Sequence, residues 1–200
     1  DQHLRYEAAT LLARCCDKTQ LSALVRSEHE ILRLIGLIAI DVACFDGTEV
    51  KPAALEVLAE LLAQSGANDW DLILTLAEMN ADAKLLPAVS KLVSREDVPA
   101  EVSARGLMLL RNLPGANTQE LSAVATKRFL TAVEGGKVKL QSPNDHLLLL
   151  ELLAAEPCSP FALREVGNRL TNGNKEIQAA AHALARKYGR EARSLADPLW

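Results

Sequence analysis

Residues 83–113 read AKLLPAVSKLVSREDVPAEVSARGLMLLRNL. Leu85, Leu86, Val89, Leu92 and Val93 recur at the steps of three and four that place apolar side chains on one face of a helix. The polar run Ser94-Arg95-Glu96-Asp97 interrupts them, and Val102, Gly106, Leu109 and Leu110 then resume the helical period. Pro99 stands at the opening of this second helix, where proline removes no intrahelical N–H bond. By the same argument Pro87 marks a start or kink near residue 84. The stretch reads as one helical hairpin.

The second-helix pattern returns elsewhere: as LRYEAATLL from Leu4 to Leu12, as LRLIGL from Leu32 to Leu37, and as IQAAAHAL from Ile177 to Leu184. Gly36 and Gly106 fall in the same slot 70 residues apart, twice 35. A small residue there lets two helix backbones approach closely. Self-similarity at such a period marks a repeat architecture. Helices are expected near 2–16, 19–26, 29–45, 50–64, 69–79, 83–94, 98–113, 117–134, 144–155, 160–171 and 174–188. The breaks between them are Gly-, Pro- and Asn-rich, as at Asp46-Gly47-Thr48, Leu113-Pro114-Gly115 and Asn172-Gly173-Asn174. Asn68, Asn117 and Asn174 each precede a helix as candidate N-caps. Helix 29–45 and the run 147–153 are apolar nearly all round, so both need cover on more than one side.

These features resemble the HEAT-repeat family (HEAT/armadillo-like): Leu86-Pro87 early in the first helix, an acidic turn, Pro99 opening the second, and a small residue where the helices touch. The resemblance is strongest at 83–113 and poorest at 114–156. It implies an all-α fold, a right-handed α-solenoid of about five antiparallel helix pairs, with residues 1–200 as a single repeat domain. It also implies that the second helices (29–45, 69–79, 98–113, 144–155, 174–188) line a concave face. The family's recurrent basic residue in the second helix appears as Arg5 and Arg33, whereas the equivalent slots hold Ser103 and Gln178.

Composition agrees with helices and narrows the function. Hydrophobic residues make up 49% and aromatics only 4%, which supplies a core and disfavours both disorder and strand-rich folds. Charge interrupts every apolar run before the ~20 residues that span a bilayer, so no membrane segment is expected. The polar opening Asp1 to Glu7 shows no signal peptide. Residues 1–100 carry 9 Lys+Arg against 16 Asp+Glu (−7), and residues 101–200 carry 13 against 10 (+3). The acidic half repels phosphate and argues against nucleic acid. Arg186, Lys187, Arg190 and Arg193 form the best polyanion contact, although they equally suit the solvated, dipole-complementing end of a terminal helix.

No motif for chemistry is complete. His29-Glu30 begins a His-Glu-x-x-His zinc helix, but Arg33 replaces the second histidine. Gly135-Gly136-Lys137 ends like a phosphate loop, yet Thr131 occupies the first glycine's slot and Val138 follows the lysine, so a helix-terminating turn accounts for it better. His3, His29, His146 and His182 are scattered at no ligand spacing, and Cys15, Cys16, Cys44 and Cys158 form no Cys-x-x-Cys pair and read as small core residues. His146 and His182 are read as partly buried rings satisfied by backbone groups, or as surface residues. Asp69-Trp70-Asp71 resembles the aromatic-acidic pairing of HEAT-like DNA-repair glycosylases, but it lies in the acidic half and suits a helix start.

The sequence therefore assigns no catalytic, cofactor or metal residues and no enzymatic activity. The expected role is a protein-protein interaction or scaffold module that receives a protein or peptide on the concave face. The alternatives are a docking or spacer segment of a larger multidomain enzyme, and a HEAT-like nucleic-acid-binding or DNA-repair protein. Helix 2–16 has the pattern of a second helix without its first, which points to a fragment of a longer chain. Its stripe Leu4, Ala8, Leu11, Leu12 and Cys15, widened by Ala9 and Ala13, is expected to be exposed and to support weak self-association through residues 1–16.

Overall fold

The computed structural model describes residues 2–47, 49–64, 69–117 and 123–196. Among these the chain is all-helical, without a strand. It divides into two compact units, Asp1–Glu120 and Leu121–Trp200.

The first unit holds α1 (Gln2–Cys15), α2 (Lys18–Val25), α3 (Glu30–Phe45), α4 (Lys51–Ala63), α5 (Trp70–Asn80), a 3-10 turn (Ala83–Leu85), α6 (Leu86–Ser94) and α7 (Ala100–Asn112). α1, α3, α5 and α7 lie side by side as one layer, and α2, α4 and α6 form the other. α3 packs on α1, α2, α4 and α5, the several-sided cover its apolar sequence requires. The helix starts follow from local chemistry. Asp17 and Gln20 close a reciprocal capping box at 2.9 and 3.0 Å, and Pro52 and Pro87 sit in the first turns of α4 and α6. Asn68 lies outside the described residues, so α5 is seen to start from Asp69, which makes no side-chain cap bond.

Glycines set the approach of the layers. A Cβ on Gly36 would stand 2.9 Å from Leu24 Cβ and 3.0 Å from the Val25 backbone nitrogen, so α3 touches α2 backbone to backbone. A Cβ on Gly106 would meet only the side-chain tips of Leu92 and Val93, at 3.1 and 3.3 Å. The basic-residue slot has a common local role despite its changing chemistry. Arg33 donates to the Ser27 carbonyl at 3.3 Å, Ser103 to Val93 at 3.3 Å and Gln178 to Leu170 at 2.9 Å. In these three hairpins the slot satisfies a carbonyl at, or within three residues beyond, the C-terminal end of the preceding helix, where intrahelical partners run out.

The second unit holds α8 (Ala123–Glu134), α9 (Pro143–Ala155), α10 (Pro160–Gly167) and α11 (Lys175–Ala196). α9 packs on α8 and α11, and α10 packs on α11. Ser142 and Asp145 form a capping box, Ser159 caps α10, and Asn174 accepts from the Glu176 and Ile177 amides. Gly136, at φ +67°, closes α8 while Lys137 N–H reaches the Ala132 carbonyl at 2.9 Å, which makes the Gly135-Gly136-Lys137 turn a helix end. Two expected boundaries move. α10 ends at Gly167 rather than 171 because residues 168–172 tighten into three-residue turns, and α11 runs on to Ala196. The segment 118–122, where helix 117–134 was expected to begin, lies outside the described residues.

Candidate functional site

In the first unit every large apolar side chain that is strongly exposed belongs to one layer. Leu4, Tyr6 and Leu11 are on α1, Ile31, Leu32 and Phe45 on α3, and Met79 on α5; α2, α4 and α6 contribute none among the described residues. Single exposed apolar residues are ordinary on a protein surface, so the informative fact is their confinement to one face.

The same layer is stitched by ion pairs about one repeat apart. Arg33 of α3 gives its Nε–H to Asp69 at the head of α5. Arg105 of α7 reaches back to α5, meeting Asp71 at 3.0 Å and both oxygens of Glu78 at 3.1 Å. Asp71, Thr75 and Glu78 share one face of α5 through steps of four and three, so one guanidinium spans them. The Asp71 side chain is fully exposed and adds little stability, whereas Arg33 and Asp69 are each about one-fifth exposed and hold α3 against α5 more firmly. These pairs were missed in the sequence, where the available signal was opposite charges 34 to 36 residues apart, one hairpin along.

On α1 the outcome is mixed. Leu4 and Leu11 are exposed at 62% and 65%, as expected, but Ala9 and Ala13 are fully buried and belong to the inward face. The exposed stripe is narrower than the sequence suggested because small residues are what α1 places against α3.

The remaining singled-out residues do not converge. His29 is the exposed N-cap of α3, with no side-chain cap bond, and Arg33 beside it is committed to Asp69 and Ser27. Among the described residues no group of three or more His, Cys, Asp or Glu side chains is placed to hold a metal ion, and no helix is long and apolar enough to cross a membrane. Cys16 and Cys44 are buried as expected, and burial pushes the Cys44 thiol up to about 11. Both remaining cysteines are corrections: Cys15 is exposed because neighbouring helical positions turn by roughly 100°, and Cys158 is only half-buried because it lies in the link between α9 and α10. His182 is exposed on α11. His146 is half-buried, and its partner is not backbone but the guanidinium of Arg169, which donates to Nδ1 from Nε at 3.2 Å. Arg169 is itself buried, with its third nitrogen on the Glu165 carbonyl and carboxylate at 2.7 and 2.9 Å. Desolvation first, then the Arg169 charge, lower the His146 pKa.

No family model and no curated protein sequence matches the chain.

Proposed function

We propose that this chain is a HEAT-like right-handed α-solenoid module of about five helix pairs, without catalysis, that binds another protein or peptide on the outward face of its second helices. The observation that carries this reading is the confinement of the first unit's exposed large apolar side chains to α1, α3 and α5. Supporting it, the ion pairs from Arg33 and Arg105 tie neighbouring helices of that layer and hold its surface in a fixed shape before a partner arrives. Photo-cross-linkers at Phe45 or Met79 should capture a bound partner, and the same group at Glu56 on α4 should not. Capture from Glu56 alone would overturn the assignment.

Leu4 and Leu11, seven residues apart on α1, also suit weak self-association through residues 1–16. Sedimentation over a concentration series should show it weakened by Leu11→Glu. One observation favours a nucleic-acid reading: Lys175, His182, Arg186 and Arg190 share an exposed face of α11 opposite the buried Ile177, Ala181, Leu184 and Tyr188. Duplex DNA binding with a steep salt slope, lost on Arg186→Ala and Arg190→Ala, would establish it.

A further inference from the structure

The outward line of α3 runs Ile31, Leu34, Ile38, Asp41, Phe45, at steps of three, four, three and four residues. That is the spacing of a heptad seam, with Ile31, Ile38 and Phe45 in one column and Leu34 and Asp41 in the other. Ile31 is 53% and Phe45 84% exposed, and the three between are half-buried, so the helices of the unit cover the line only in part. The seam is about 21 Å long at 1.5 Å per residue.

Asp41 is the anomalous member. Its carboxylate makes no hydrogen bond or ion pair, and its pKa is raised by burial alone, with no compensating cation. A carboxylate kept among apolar side chains without a partner is costly, and a cation brought to it relieves that cost. The surroundings carry mostly the same sign, the exception being Lys51 at the start of α4, whose charge is felt at Cys44 together with those of Asp41 and Asp82. Glu28 and Glu30 stand exposed at the head of the line and Asp46 and Glu49 at its foot, and residues 1–120 hold 11 Lys+Arg against 18 Asp+Glu (−7).

We propose that this line is the seat of a cationic amphipathic helix from another protein, whose heptad apolar residues cover Ile31, Leu34, Ile38 and Phe45 while one Lys or Arg pairs with Asp41. The column spacing selects a helix over an extended strand. Ile31, Ile38 and Phe45 are about 10.5 Å apart, two helical turns, whereas same-side residues of a strand repeat every 6.6 to 6.8 Å or so. Charge selects against the same face of a second copy, whose residues 1–120 would bring another net −7 to the contact. A single polar residue in an apolar seam fixes the register of the pairing, and Asp41 supplies that here. This inference rests on the reading that partners meet the second-helix layer, and it names their chemistry.

The test uses the full chain and two fluorescein-labelled synthetic helices of three heptads with leucine at the seam. One carries Lys and the other Glu at the position facing Asp41. Fluorescence anisotropy at near-physiological salt should show the Lys helix binding the natural chain and the Glu helix failing. Asp41→Asn should weaken the Lys helix by about tenfold, a typical loss for one partly desolvated charge pair. Phe45→Glu should abolish binding, and Glu96→Gln, an exposed acid in the α6–α7 turn, should change nothing. Asp41→Lys should reverse the preference and bind the Glu helix, a rescue that general charge attraction does not produce. Equal binding of both helices, or indifference to Asp41→Asn in a chain with unchanged circular dichroism, would overturn the proposal. So would a concentration-dependent dimer abolished by Phe45→Glu, since a second copy would then own the line. If the helices fail to bind while partners still cross-link at Met79, this inference falls and the broader functional reading stands; capture from Glu56 alone removes both.

Discussion

Replacing Gly36 with alanine probes the tightest glycine contact among the described residues of the first unit. The new Cβ would stand 2.9 Å from Leu24 Cβ and 3.0 Å from the Val25 amide nitrogen, well inside ordinary carbon contact. Neither atom is a flexible tip, so the last turn of α2 must back away from α3. Overpacking of this kind costs about 1–3 kcal/mol. Against it, alanine in a helix interior is favoured over glycine by about 0.5–1 kcal/mol. The net expectation is a loss of about 1–2 kcal/mol, or roughly 2–8 °C in Tm for a chain of this size. Gly106→Ala provides the internal control, because its Cβ meets only Leu92 Cδ2 and Val93 Cγ2, which can turn aside. There the propensity gain and the tight contact nearly cancel, so stability should stay within about 0.5 kcal/mol of the natural chain. Gly106→Leu should still cost about 1–3 kcal/mol. Urea unfolding followed by circular dichroism measures all three. Equal effects of alanine at the two glycines would refute the claim that α2 and α3 touch through backbone while α6 and α7 touch through side chains.

Ala81 ends α5 in the left-handed region at φ +30°, which glycine adopts without penalty, so Ala81→Gly should raise stability by about 1 kcal/mol in the same assay. Arg95 donates to the Ala63 and Gln64 carbonyls at the end of α4 while Asp97 grips its guanidinium at 2.7 and 3.0 Å. Arg95→Ala should cost about 1–3 kcal/mol, and Arg95→Lys should restore little because an ammonium lacks the planar fork. The His146 pKa is lowered in the folded chain, so the unfolded chain takes up this proton first as pH falls. The contribution is therefore complete above the free value of 6.5 and is lost as pH drops below it towards the folded value. Thermal melts between about pH 7.5 and 5 should show a smaller acid loss in His146→Gln than in the natural chain. Thiol labelling of the native chain should modify Cys15 first and Cys44 last, since Cys44 is buried and its thiol is pushed up to about 11.

The hairpins were legible because their signals are local. Leu85 to Val93 and Val102 to Leu110 repeat at helical steps, proline and glycine punctuate them, and Gly36 and Gly106 mark contacts that the structure places against α2 and α6. What the sequence hid depends on orientation and long-range pairing. An alanine-rich stripe on α1 reads the same whether it faces inward or out, and only the packing on α3 shows that Ala9 and Ala13 are inside. Arg169 reads as a surface residue, yet it is buried because His146 and Glu165 converge on it from α9 and α10. Asp41 was hidden within a helix read as apolar all round. Its seam with Ile31, Leu34, Ile38 and Phe45 emerges only once Gly36, Leu37, Ala39 and Ile40 are known to face the core.

The central claim is that the second-helix layer of the first unit is the face offered to a partner. Hydroxyl-radical footprinting of the full chain, free and bound to a cross-link-verified partner, tests it most directly. In the free chain Phe45, Met79 and Ile31 should be modified fast, while Leu58 and Leu92, both buried, should resist. On binding, Ile31 and Phe45 should become protected while Pro52 and Glu56 on α4 keep their rates. Protection confined to α2, α4 and α6, with Phe45 and Ile31 as reactive as before, would contradict the account.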